Sequence, residues 1–273
     1  MIAHGSAFPV AKLALNNSVP PILMASLRMG IVFIILVPFL KFKFPEKKFI
    51  KPLVFFSLSM GVLVYVFMNL SLYYSTFISP IILGSQLAIP FGILASAFLL
   101  NENISKNKWI LIFTSFFGII IIFFDPKLSE NYIGLFFASL MALFFGLAQV
   151  YSRQLNKLPI SLINASTGIF GFLILMSISL TIEGNPYLNV KQINFESWLL
   201  ISYQALIVSL CAHLLMFYLY KFYTVGQIFP FYSLFPIFGI VLTYLVFSEV
   251  PTILFILGGI IVISSVFLLH KIR

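Results

Sequence analysis

The segment 86-QLAIPFGILASAFLLNE-102 is matched near the other end of the chain by 232-YSLFPIFGIVLTYLVFSE-249. Each carries a Pro, a Gly two or three residues later, and an apolar run closed by Glu. Pro90 pairs with Pro236, Gly92 with Gly239 and Glu102 with Glu249. Upstream, Tyr74 precedes Pro90 by sixteen residues, and Tyr220 precedes Pro236 by the same sixteen. The seven-residue spacing from Gly5 to Lys12 recurs from Gly146 to Arg153. The order of these matches divides the chain into two repeats, residues 1–125 and 131–273.

The surroundings of the repeat decide what it is made of. Of the 273 residues, 61% are hydrophobic and 8% charged, where a soluble domain carries roughly 25% charged residues. Apolar runs of about 20 residues, enough to cross a bilayer, recur along the chain. The in–out alternation of barrel strands, about ten residues long, is missing. The fold class is therefore all-α, a polytopic membrane protein. Ten spans are expected near 2–15, 20–40, 52–74, 77–100, 109–124, 131–151, 159–182, 198–222, 226–248 and 252–270. With five spans per repeat, the second repeat enters the membrane from the opposite side, which makes the repeats inverted about an axis in the membrane plane.

Charge sets the orientation. With both termini inside, the inner loops and tail hold Lys41, Lys43, Lys47, Lys48, Lys51, Lys106, Lys108, Arg153, Lys157, Lys221, Lys271 and Arg273. The outer side holds Lys12, Lys127 and Lys191. Basic residues concentrate on the cytoplasmic side of membrane proteins, so the chain is read as N-in and C-in, multi-pass in the cell's inner membrane. The net charge of +9 is this loop bias, and nucleic acid is excluded as a partner. The expected partners are a small-molecule substrate and the lipid bilayer, and the chain is either a monomer or a homodimer.

Several chemistries are absent from the pattern. Cys211 is the single cysteine, so no intrachain disulfide can form. His4, His213 and His270 are scattered, with no H-E-x-x-H metal motif and no G-x-S-x-G nucleophile elbow. No cofactor is called for, and an intramembrane enzyme is disfavoured.

The chain resembles the ten-helix EamA-type branch of the drug/metabolite transporter superfamily. The resemblance rests on Gly5, Phe8, Lys12, Pro21 and Arg28, on 72-LYYSTFISPIILGSQLAIPFGILASAFLLNE-102, and on 226-GQIFPFYSLFPIFGIVLTYLVFSEVP-251. Within that branch it is most similar to exporters of amino acids and cysteine-pathway metabolites. Family members commonly begin with several apolar residues and a Trp-Gly pair, where this chain has His4-Gly5. The first span, about 14 residues, covers roughly 21 Å of a roughly 30 Å hydrocarbon core. A truncated first helix is the expectation.

Polar residues inside spans tend to face the bundle interior or a wet cavity. In the third span Ser57, Gly61, Tyr65, Asn69 and Tyr73 recur every four residues, close to one helical face. Gln86 and Pro90 mark the fourth span, Gln149 the sixth, Ser209, His213 and Tyr220 the eighth, and Tyr232 and Pro236 the ninth. The resemblance also assigns spans three, four, eight and nine to a central cavity. The candidate substrate-binding residues are therefore Arg28, Tyr65, Asn69, Tyr73, Gln86, Gln149, His213 and Tyr232, with Pro90 and Pro236 as candidate hinges. For Ser, Thr and Gly, close helix packing is the better explanation; amides and imidazole cost more to bury and favour the cavity.

Arg28 sits within the apolar run 19-VPPILMASLRMGIVFIILVPFL-40. A central Arg costs about 2.5–3.5 kcal/mol on insertion scales. Three readings compete: a partner for a substrate carboxylate, a structural clamp, and a charge that snorkels to the interface. A position shared across family members with different substrates suits the clamp. All seven acidic residues fall at helix ends or in loops, whereas proton-driven pumps place carboxylates within the membrane. Glu102 and Glu249 are expected to cap loops or form ion pairs at the two faces, and exchange or facilitated efflux fits as well as proton coupling. The leading expectation is a secondary transporter exporting small polar metabolites such as amino acids, by alternating access around a midplane cavity. Alternatives are import of similar solutes, a sugar-conjugate transporter, or a scaffold with a filled centre.

Overall fold

The computed structural model describes residues 1–40, 45–212, 215 and 234–271. They form helices joined by short connections, with no strand among the described residues. After a helical turn at Ile2–Gly5 come α1 (Ala7–Asn16), α2 (Pro21–Phe39), α3 (Lys47–Tyr73), α4 (Ser79–Leu100) and α5 (Lys106–Phe123). The series continues with α6 (Pro126–Gln154), α7 (Ile160–Ile182), α8 (Phe195–Cys211), α9 (Phe235–Phe247) and α10 (Ile253–Lys271). Helices α2 to α7 are each long and apolar enough to cross a bilayer. The expected loop before α8 holds a short helix, Pro186–Gln192, bent by 106° from α8.

Local chemistry starts these helices. Proline stands in the first turn of α2, α4, α6 and α9, where its missing N–H has no helical partner to lose. Ser105 caps α5 and Asn194 caps α8 through side-chain oxygens. The helix surfaces carry large exposed apolar groups, Phe98, Phe113 and Phe136 among them, as a lipid-facing wall requires.

Hydrogen bonds between connections show which loops share an end. Glu183, after α7, accepts from the backbone N–H groups of Ile22 and Leu23 at 2.7 and 2.8 Å. Asn131 accepts from the Thr76 backbone N–H and hydroxyl at 3.0 and 2.8 Å, and donates to the Phe77 carbonyl at 3.0 Å. Thr252 donates to Asp125. These connections form one end of the bundle. Arg153 pairs with Glu102 at 3.0 Å at the other, the end that also carries Lys47, Lys48, Lys51, Lys106, Lys108 and Lys157.

The repeat is written in the backbone as well as in the residues. A π-helical turn at Ser57–Leu63 in α3 recurs at Gln204–Cys211 in α8, starting 147 residues later. The left-handed residues that end α4 and α9, Asn101 and Ser248, both have φ 54° and are also 147 apart. Long-range packing follows the same symmetry. Helix α2 lies along its counterpart α7, and α5 along α10.

Glycine sets the closest helix approaches, because apolar surface alone drives no association in lipid and contact must come from fit. A Cβ on Gly5 would stand 2.7 Å from the Gly239 backbone nitrogen, and one on Gly146 would stand 2.6 Å from that of Gly92. So the helical turn before α1 of the first repeat meets α9 of the second as α6 of the second meets α4 of the first.

Candidate functional site

Arg28 lies seven residues into α2, about 10 Å from its start. Tyr65 lies eight residues before the end of antiparallel α3, about 12 Å in, so the two side chains meet at one depth. The guanidinium carbon stands 4.4 Å from the centroid of the Tyr65 ring, and Nε donates to Ser209 Oγ of α8 at 2.9 Å. Arg28 is 5% exposed. The contact with Tyr65 is a desolvated cation–π pair, a class worth about 2 kcal/mol. Arg28 therefore faces protein in the bundle interior, joining three helices.

The π-helical turn of α8 presents a second polar group beside it. Gln204 Nε2 donates to the Ala7 carbonyl at 2.5 Å, while its Oε1 is buried and accepts from no described residue. Ser6 Oγ and the Tyr203 hydroxyl lie 2.8 Å apart, a second tie between α1 and α8. Gln204 was missed in the sequence. It is an amide within an apolar run, the signal that singled out Gln86 and Gln149, but it stands at the point equivalent to the small Ser57.

The other sequence candidates divide by position. Asn69 is buried and donates to the Pro21 carbonyl at 2.8 Å, tying α3 to the start of α2. Gln86 is buried with Oε1 accepting from no described residue. Gln149 is half-buried on α6, one turn past Gly146. Tyr73 is 53% exposed and packs edge-on against Tyr74. From Tyr65 to Tyr73 an α-helix turns about 80° beyond two full turns, which carries Tyr73 off the Arg28 face. Pro90 follows a 3₁₀ turn, Ser85–Leu87, so α4 changes its winding there; Pro236 stands in the first turn of α9. His213, Tyr220 and Tyr232 lie outside the described residues.

A cavity of about 300 Å³ lies between α2, α7 and α8, lined among others by Leu36, Ser161, Asn164, Ser209 and Leu210. Leu36 and Ser161 belong to the basic end of their helices, so the cavity runs from that end to the Arg28 partner Ser209.

The opposite end is tied. Lys12 donates to the carbonyls of Leu72, in the last turn of α3, and of Ser75, just beyond it, at 2.8 and 2.6 Å. Glu249 accepts from the backbone N–H of Ile78 at 2.6 Å and from the Ser79 hydroxyl at 3.0 Å, at the start of α4. Burial pushes the Glu249 carboxyl above its usual range, against the opposing pull of these donors and of the Lys12 charge. At the basic end the counterparts by repeat, Arg153 and Glu102, form an exposed pair. Both glutamates thus stand where the sequence put them, one ion-paired and one capping.

A model of the EamA-like transporter family matches the chain twice, over residues 1–124 and 132–270. No curated protein matches it. One solved structure, described only as the crystal structure of a protein, aligns over 97% of this chain and 93% of that one, with a TM-score of 0.53 and 15% sequence identity. At that identity the likeness is one of fold.

Proposed function

From the premise that the chain belongs to the EamA-like transporter family, and so is a multi-pass membrane transporter of small solutes and not an enzyme, we propose that it exports small polar metabolites, amino acids among them, by alternating access. The two family matches support taking residues 1–125 and 131–273 as the working repeats. Export, rather than import, is carried over from the sequence resemblance. The inner membrane and a monomeric or homodimeric state belong to the same proposal.

The observation that carries alternating access is the inequality of two equivalent ends. Lys12 and Glu249 grip the α3–α4 connection. Arg153 and Glu102, their repeat counterparts, bond through their side chains only to each other among the described residues and are exposed. Inverted repeats allow the two halves to trade conformations. In this conformation the Lys12 end is shut and the basic end opens toward Ser209; in the exchanged one, Arg153 and Glu102 take the gripping role. Candidate lining residues are Arg28, Tyr65, Gln86 and Gln149, with Pro90 as a hinge. All seven carboxylates lie at helix ends or in connections, which favours facilitated or exchange transport over proton drive.

Counterflow in proteoliposomes tests the reading. Vesicles loaded with unlabelled solute should concentrate the same labelled solute for some member of a panel of amino acids, sugars and nucleosides. A well-inserted protein that moves none of them would sink it.

A further inference from the structure

All seven Asp and Glu side chains of the chain lie among the described residues, and none of them pairs with Arg28. A guanidinium that is 5% exposed, about 10 Å inside a membrane helix, is thus held by a hydroxyl and an aromatic face without a carboxylate partner. Buried charges are normally paired, and the fork of Arg matches a carboxylate through two parallel N–H donors. Nε is engaged by Ser209. The missing partner is one negative charge, delivered from outside the chain.

The surroundings narrow its chemistry. A phosphate dianion would ask for a second cation, whereas the other described basic side chains lie toward helix ends: Lys12 is engaged with two carbonyls and Arg153 with Glu102. Gln204 Oε1 is buried and accepts from no described residue, and its orientation is set by the Nε2 donation to Ala7. Gln204 and Ser209 are five residues apart within one π-helical turn. The i→i+5 pattern of such a turn places them one above the other. An acceptor thus stands one turn from the hydroxyl that holds the cation.

We propose, resting on the transporter reading above, that Arg28, Ser209 and Gln204 bind the main-chain end of an α-amino acid, Arg28 holding the carboxylate beside Ser209 and Gln204 Oε1 accepting from the ammonium. Tyr65 holds the guanidinium over its ring. The cavity that reaches Ser209 from the basic end is the entry path. The substrate side chain is left to the rest of the cavity.

The test uses the full chain in lipid nanodiscs. It is screened by thermal shift against the twenty standard L-amino acids, and every hit is repeated as its carboxamide, its decarboxylated amine and its des-amino acid. At least one amino acid should raise Tm, and its three analogues should each bind at least about tenfold more weakly, the scale of one lost charge-assisted contact. Arg28→Lys keeps the charge but loses the fork and should weaken the hit at least about tenfold. Ser209→Ala, a milder change should Arg28→Lys fail to fold, should weaken it by a smaller factor. The proposal is overturned if no amino acid raises Tm, if the carboxamide binds as well as the acid, or if Kd is unchanged in the variant that folds. Counterflow with the same panel plus neutral sugars and nucleosides separates the two readings. Flux of a solute without a carboxylate, indifferent to Arg28→Lys, removes the amino-acid site and leaves a transporter. Absence of flux for every solute removes the transporter reading itself.

Discussion

Asn69 is 2% exposed and its amide nitrogen reaches the Pro21 carbonyl. Interhelical polar contacts in membranes average about 0.6 kcal/mol and reach about 1.7, so Asn69→Ala should lower stability by about 1 kcal/mol, read as a fall in Tm. Flux per folded molecule should change little if the amide is only a tie; an Asn69→Ala variant with native Tm and no flux would place it on the substrate instead. Glu249 gives the second expectation at this scale. Its carboxyl sits above the ordinary range mainly because it is buried, so the folded protein holds that proton more tightly than the unfolded chain. Stability from this group is present below the ordinary carboxyl value and is lost as pH rises through the raised one. Melting at a series of pH values should show that decline in the native protein and a flatter profile in Glu249→Gln.

At the scale of helices, glycine contacts make the sharpest prediction. A Cβ on Gly146 would lie 2.6 Å from the Gly92 nitrogen and 2.8 Å from the Ala88 carbonyl, whereas one on Gly92 would rest at 3.6 Å from Gly146. Gly146→Ala should therefore part α6 from α4 and cost several degrees of Tm, while Gly92→Ala should melt near the native value. Much of this level was legible in the sequence, because membrane helices announce themselves by apolar length and the repeats kept Pro, Gly and Glu in order. The π-helical turns and left-handed caps were not legible; they are backbone states reached by residues as unlike as Ser57 and Gln204, or Asn101 and Ser248. The four-residue rhythm that groups Tyr73 with Tyr65 in the sequence is one that the 3.6-residue turn does not keep. The Ser209 partner of Arg28 lies 181 residues away, and no local spacing could name it.

Across the whole molecule, the two ends should respond differently to the loss of charge. The Arg153–Glu102 pair is exposed, and such pairs contribute about 0–1 kcal/mol. Neutralising both residues should leave Tm nearly unchanged yet slow counterflow, because the grip they would form in the exchanged conformation is gone. Glu249→Ala should lower both Tm and flux, since it removes the acceptor of bonds made in the conformation described. Equal effects on Tm from the two changes would show that the ends do not trade roles.

The Lys12 and Glu249 contacts carry one more consequence. Their partners are peptide groups and a hydroxyl within a closed end, whereas Arg153 and Glu102 form a direct, exposed pair at 3.0 Å. Dissolved ions screen exposed charges over about 8 Å at physiological ionic strength and over shorter distances as salt rises. Added electrolyte should therefore weaken that exposed pair and spare the Lys12 and Glu249 grip, making the resting pose of the carrier a readout of the ionic strength at its basic face.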